Sequence, residues 1–281
     1  LRHANADAGI ELMLATLFQI SRNTFRETLR APIFILVLLA ALTIIGLAPL
    51  FSMFVFREQV KLVVDTAMAT TLVFSWIIAV LSASHAIAWE IDSGTALLML
   101  SKPVTRSRFV FGKILGILAA LTLFWFLTSI ATLLAIRIAK DQFRLDNVVF
   151  ALYFATIAAS LGAGGIRNFI KQSSFSMAAV LAMAVLFPVA AAITYFLPAT
   201  GETELLAWEI LPALILILYA AWAMGTLATA LSTRLDLASN LTCCFVVFML
   251  GLMSDYLFGR HAESSIIAAT LYNVIPNWQL F

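Results

Sequence analysis

Residues 32–56 read PIFILVLLAALTIIGLAPLFSMFVF, twenty-five positions without a charged side chain. Wound as a helix at 1.5 Å per residue, the run is about 37 Å long, enough to cross the roughly 30 Å hydrocarbon core of a bilayer. Working outward, comparable apolar runs occupy 66–88, 109–136, 148–165, 174–197, 205–231 and 241–258, and an eighth begins near Ile266 but is interrupted by Asn273, Pro276 and Asn277. Hydrocarbon offers no partner to a backbone N–H or C=O, so only helices and closed barrels can cross it. The ten-residue alternation of a barrel strand is absent. The expected fold class is therefore all-α, a polytopic transmembrane helical bundle of about six to eight spans.

Composition agrees. The chain is 63% hydrophobic and 11% charged, with a mean hydropathy of +1.02, against roughly 45–50% and about 25% in a soluble domain. The net charge of +2 matters less than where the charges sit. Lys and Arg near span ends are retained on the cytoplasmic side. With the N-terminus inside, eleven of the seventeen cations lie on the inner face (Arg2, Arg22, Arg26, Arg30, Lys102, Arg106, Arg108, Lys113, Arg167, Lys171, Arg234), leaving Arg57, Lys61, Arg137, Lys140, Arg144 and Arg260 outside. No cleavable signal precedes the first span, and both ends of the sequence, Leu1 and Phe281, are taken as open. The adjacent Cys243 and Cys244 suit neither a disulfide nor a metal site and are expected to pack within a helix.

Two non-spanning segments complete the organisation, residues 1–31 ahead of a membrane domain at 32–281. Over 12–30, Leu14, Leu17, Phe18, Phe25 and Leu29 share one helical face and Gln19, Asn23, Arg26 and Arg30 the other, the pattern of an amphipathic helix lying in the interface plane. Residues 90–116 read EIDSGTALLMLSKPVTRSRFVFGKILG. Asp92 or Ser93 can cap a short helix with an apolar body at 96–100, and Pro103 ends it. The cations that follow sit at headgroup level, where they are favoured.

That stretch resembles the type-2 ABC exporter permease family, in particular the branch linked to multi-copper enzyme maturation. The resemblance rests on Glu90, Gly94, Thr95, Leu97, Leu98, Ser101, Lys102, Pro103, Arg106, Gly112, Lys113 and Gly116, and the amphipathic helix before the first span is similar to that family's opening. It implies the permease subunit of a bacterial ABC exporter in the cytoplasmic (inner) membrane, N-terminus cytoplasmic. ATP and Mg²⁺ would be held by two copies of a separate ATPase, and this chain would pair with a second permease copy or a paralogue. Segment 90–108 becomes the first coupling helix, with Glu90, Asp92, Ser93, Gly94, Thr95, Leu97, Leu98, Lys102, Pro103 and Arg106 as coupling residues; Arg167 and Lys171 mark a second coupling loop at 166–173. Members commonly have six spans, so seven or eight apolar runs are a departure.

The sequence carries no G-x-x-x-x-G-K-[ST] phosphate loop: Ser107 stands at the first glycine position and Ile114 follows Lys113. ATPase activity is therefore expected on a partner, with no catalytic residue, cofactor or metal on this chain and no nucleic-acid partner. Gly162, Gly164 and Gly165 are expected to permit close helix approach. His85, within an apolar run, is either functional or satisfied by Ser82, Ser84 or a neighbouring helix. The Asn240-Leu-Thr242 acceptor pattern is read as a chance match. Spans poor in charge, with Glu209 and Asp255 as exceptions in outer half-spans, suit an amphiphilic or lipid-like substrate, or contact with membrane lipid. Two alternatives stay open: a subunit that transmits force to an envelope partner without transport, and a polytopic membrane enzyme using His85, Glu90 and Asp92.

Overall fold

The structure, a computed structural model, describes residues 2–52, 54, 58–88, 106–140, 144–197, 207–261, 266–274 and 277–278. Helix α1 (Arg2–Arg30) and helix α2 (Pro32–Ser52) are nearly continuous. Pro32 separates them: it restricts Ala31 away from helical geometry, yet its missing N–H costs nothing at the first position of α2. Helix α3 (Gln59–Ala83) runs on into a π-helical turn, Ser84–Ala88. Helix α4 (Arg106–Ile138) is followed by a two-residue antiparallel ladder, β1 (Ala139–Lys140) on β2 (Arg144–Leu145). Asp146 Oδ1 accepts from Val149 N at 3.3 Å to cap helix α5 (Asn147–Lys171), which turns back into helix α6 (Phe175–Phe196). A 3₁₀ turn, Trp208–Ile210, with Pro212 just beyond it, opens helix α7 (Leu211–Ser232). Helices α8 (Leu237–Leu252), α9 (Ser254–Leu257) and α10 (Ile266–Val274) follow.

Among the described residues, six helices are long and apolar enough to cross a membrane: Pro32–Ser52, Gln59–Ile87, Ser107–Ile138, Asn147–Lys171, Phe175–Phe196 and Trp208–Ser232. The chain is a multi-pass, all-α membrane protein. The apolar run at 241–258 takes a different form. Helix α8 has 16 residues, about 24 Å, and stops where Met253 leaves helical geometry ahead of Ser254 and Asp255. Hydropathy counted that run through Met253 because an average cannot see a backbone break. Among the described residues, the eighth run holds the nine-residue α10.

Helix α4 is the axis of the bundle, touching α1, α2, α3, α6 and α7. Leu121, Phe124, Leu127, Ala131 and Leu134 of α4 join Leu38, Leu42 and Ile45 of α2 and Ile78 and Ala79 of α3 in one buried cluster. Two indoles tie α7 to α4: Trp125 Nε1 donates to Leu214 O at 2.6 Å, and Trp222 Nε1 to Thr122 Oγ1 at 3.0 Å. Tyr153 of α5 is fully buried, donates its hydroxyl to Leu42 O at 2.6 Å, and lays its ring where a side chain at Gly46 of α2 would stand. In the α5–α6 hairpin only one glycine of the expected cluster carries close approach. A Cβ at Gly164 would meet Ala179 at 2.7 Å, whereas Gly162 and Gly165 face open space. Cys243 is exposed and Cys244 buried, and both are free thiols.

Candidate functional site

One end of the bundle brings together the end of α1, the start of α2, the π-helical turn after α3, the start of α4 and the α5–α6 turn; the opposite end holds a buried pair of its own, Arg137 with Asp146 at 3.9 Å. The lowest layer is the seat of α1 on α4. A Cβ at Gly112 would stand 2.7 Å from Ile20 Cγ2, and one at Gly116 would stand 2.6 Å from both Ser21 O and Thr24 Cβ. Both glycines therefore let the backbones come closer than any side chain would allow, as small residues do between membrane helices. On α1 the surface that meets them is Ile20, Ser21 and Thr24, with Thr24 and Thr28 buried. Leu14 and Phe18 stay exposed on the outer side of the same helix.

Between the two glycines, Lys113 is almost wholly buried, at 2% exposure, and its Nζ lies 3.7 Å from Glu27 Oε2 of α1 and 5.5 Å from the Phe109 ring. A cation this deep must be matched by an anion, because its isolated burial costs several kcal/mol. The other carboxylate oxygen of Glu27 lies 3.9 Å from His85 Nδ1 in the π-helical turn. Glu27 therefore joins three elements, α1, α3 and α4, in one cluster. His85 is about half exposed, and its Nδ1 stands beyond hydrogen-bond distance of that carboxylate. Ser84 Oγ accepts from Asn240 Nδ2 at 2.9 Å, and the same amide donates to Ala228 O at 3.2 Å. Asn240 is fully buried, which leaves no room for a glycan.

The second feature of this end is the α5–α6 turn. Helix α5 runs through Lys171, so the expected loop at 166–173 is mostly helical and the turn proper is 172–174. Gln172 closes the helix in the left-handed conformation, φ 47°, and Asn168 Nδ2 donates to Ser173 O at 2.7 Å. This braced tip presents Ile166, Phe169 and Ile170 to the outside, Phe169 at 88% exposure, with Arg167 and Lys171 exposed beside them.

Of the residues singled out from sequence, Glu90, Asp92, Ser93, Gly94, Thr95, Leu97, Leu98, Lys102 and Pro103 lie outside the described residues. Arg106 is the first residue of α4. Glu209 lies in the 3₁₀ turn at the very start of the span Trp208–Ser232, and Asp255 in the four-residue α9, beyond the sixth span, where its Oδ1 accepts from Tyr272 Oη at 3.4 Å. Glu27 and Phe169 were not anticipated. Glu27 could have been found by pairing the buried-face spacing Thr24–Thr28 with Gly112-Lys113-x-x-Gly116, since a lysine between two seat glycines calls for an acid on the helix it faces. Among the described residues no group of three or more His, Cys, Asp or Glu could hold a metal ion.

Comparison with curated proteins yields no match, and comparison with solved structures yields none either. A family model described as ABC-2 family transporter protein matches residues 18–170, more than half of the chain, from the seat face of α1 to the tip of α5. The matched region contains the glycine seat, the Glu27, His85 and Lys113 cluster and the segment leading into α4. This chain belongs to the ABC-2 transporter family and is a membrane transport subunit.

Proposed function

We propose that the chain is the transmembrane permease of a bacterial ABC exporter, coupling ATP hydrolysis on a separate ATPase to outward movement of an amphiphilic or lipid-like substrate. Two ATPase copies would hold the ATP and Mg²⁺, and a second copy of this chain or a paralogue would complete the permease. No cofactor is assigned to this chain. The N-terminus and the end of the bundle carrying the Glu27 cluster would face the cytoplasm, in the inner membrane, as the Lys and Arg distribution favours.

The observation that carries the reading is the glycine seat with its buried Lys113 and Glu27 pair. It locks α1 to the first turns of α4, the helix into which segment 90–108 feeds. A push received on that segment would tilt α1 and α4 together as one body, the manner in which packed interfaces pass on a discrete change of state. The braced tip at 166–173, with Phe169 between Arg167 and Lys171, supplies a second contact of the kind an ATPase groove accepts. In this reading Glu90 through Pro103 dock in that groove.

The test is purification of the membrane-extracted chain with its co-purifying subunits, followed by ATPase assay. Gly94→Arg with Leu98→Asp should release the ATPase, and Phe169→Asp should lower stimulated hydrolysis several-fold while the bundle remains folded. Failure to recover any ATPase under mild extraction would sink the coupling reading.

A further inference from the structure

The elbow between α1 and α2 borders two adjoining hollows that the transport reading does not use. One, of about 500 Å³, is walled by Pro32, Ile33, Phe34, Leu36, Leu81 and Leu237 and has Glu27, Ser82, Ser84 and His85 at its polar end. The other, of about 450 Å³, is polar and shallower, bounded by Asn23, Arg26, Glu27, Arg30 and His85. They share Glu27, Ala31, Pro32 and His85, so an apolar slot opens directly into a cationic mouth. Leu36 and Ile33 in the slot are exposed at the bundle surface, as are Arg26 and Arg30 at the mouth.

Position and charge together select an occupant. The slot lies beside the first turn of one span and the last turns of another, at the depth where headgroups meet acyl chains, and cations there attract anionic lipid. Among the described residues lining the mouth Glu27 is the one acid, and it lies within ion-pair distance of Lys113 and His85. Among the described residues neither Arg26 nor Arg30 has a carboxylate within ion-pair distance, and both guanidinium-bearing side chains line the mouth. Guanidinium matches phosphate oxygens in a bidentate way. We propose that this elbow binds one phospholipid with a net negative headgroup, its phosphate on Arg26 and Arg30 and one acyl chain along Ile33, Phe34, Leu36 and Leu81. That the lipid comes from the cytoplasmic leaflet rests on the orientation proposed above; the site itself does not.

The experiment is native mass spectrometry of the full chain in mild detergent, with phosphatidylglycerol, phosphatidylcholine or inorganic phosphate added, and melting temperature as a second readout. Phosphatidylglycerol should be retained about ten-fold more strongly than phosphatidylcholine. Arg26→Gln with Arg30→Gln should remove that preference, and Leu36→Trp, which fills the slot from an exposed position, should weaken retention of both lipids. Arg22→Gln, on the same helix but outside both hollows, should change nothing. Equal retention of the two lipids, or equal loss from Arg22→Gln and from the Arg26 and Arg30 pair, would overturn the site in favour of general surface charge. Displacement by inorganic phosphate together with an inert Leu36→Trp would assign a free-anion site instead. A Leu36→Cys disulfide between two copies would assign the slot to a dimer interface. Lipid retention is read on this chain alone, so it stands or falls separately from recovery of an ATPase.

Discussion

At the residue scale, Gly112, Lys113 and Gly116 show how a short motif is spent on packing as well as on charge. Substituting Gly116 with Leu places a side chain against Ser21 O, 2.6 Å from where its Cβ must stand. Because the obstacle is backbone, α1 itself has to move. Overpacking of this kind costs about 1–3 kcal/mol, so Gly116→Leu should lower the melting temperature of the detergent-solubilised chain and raise the reactivity of single cysteines introduced along α1. An unchanged melting temperature would mean that α1 is not seated on α4. The neighbouring pair offers a sharper measurement. Glu27→Gln, Lys113→Met and the double variant form a cycle whose coupling should be about 1 kcal/mol or more in stability, since the lysine is buried and the two groups lie 3.7 Å apart. A coupling near zero would show that Lys113 draws its compensation elsewhere.

At the element scale, the bundle is held by side chains that reach a neighbouring helix's backbone at positions where a small residue leaves room. Tyr153 is the clearest case, with its ring over Gly46 and its hydroxyl on Leu42 O. Hydrogen bonds between membrane helices contribute about 0.6–2 kcal/mol, so Tyr153→Phe should lose roughly that amount in an unfolding titration and leave oligomeric state unchanged. Tyr153→Ala should lose several times more, because the cavity over Gly46 adds to the lost bond. Helix α8 follows the same logic. Too short to span, it is tied by Asn240 to the π-helical turn and to α7, so its place is fixed by one buried amide as much as by apolar contact.

At the scale of the whole molecule, the six spans and the grouped polar end make a definite topological statement. In a background lacking Cys243 and Cys244, single cysteines at Gln172 and at Lys61 lie at opposite ends of the bundle. A membrane-impermeant maleimide applied to intact cells should label position 61 and spare position 172 until the membrane is opened. The reverse pattern would turn the transporter over and move the proposed ATPase contacts to the wrong side. The proposed orientation rests on the Lys and Arg residues grouped near one set of span ends, a bias that insertion reads locally.

The sequence alone determined the class of molecule and most of its spans, because hydrocarbon length and the exclusion of charge are properties of runs and do not depend on what a run touches. Residues 32–56 could be read as a span in isolation, and the amphipathic face of 12–30 could be read the same way. Only the tertiary structure decided which glycines carry close approach, since Gly164 meets Ala179 while Gly162 and Gly165 meet nothing. It alone decided that His85 faces Glu27, that 241–258 breaks at Met253, and that α1 lies against α4 and not along α2, its neighbour in the chain. Each depends on which atoms stand opposite across a helix pair, and the periodicity of a single helix holds no record of its partner.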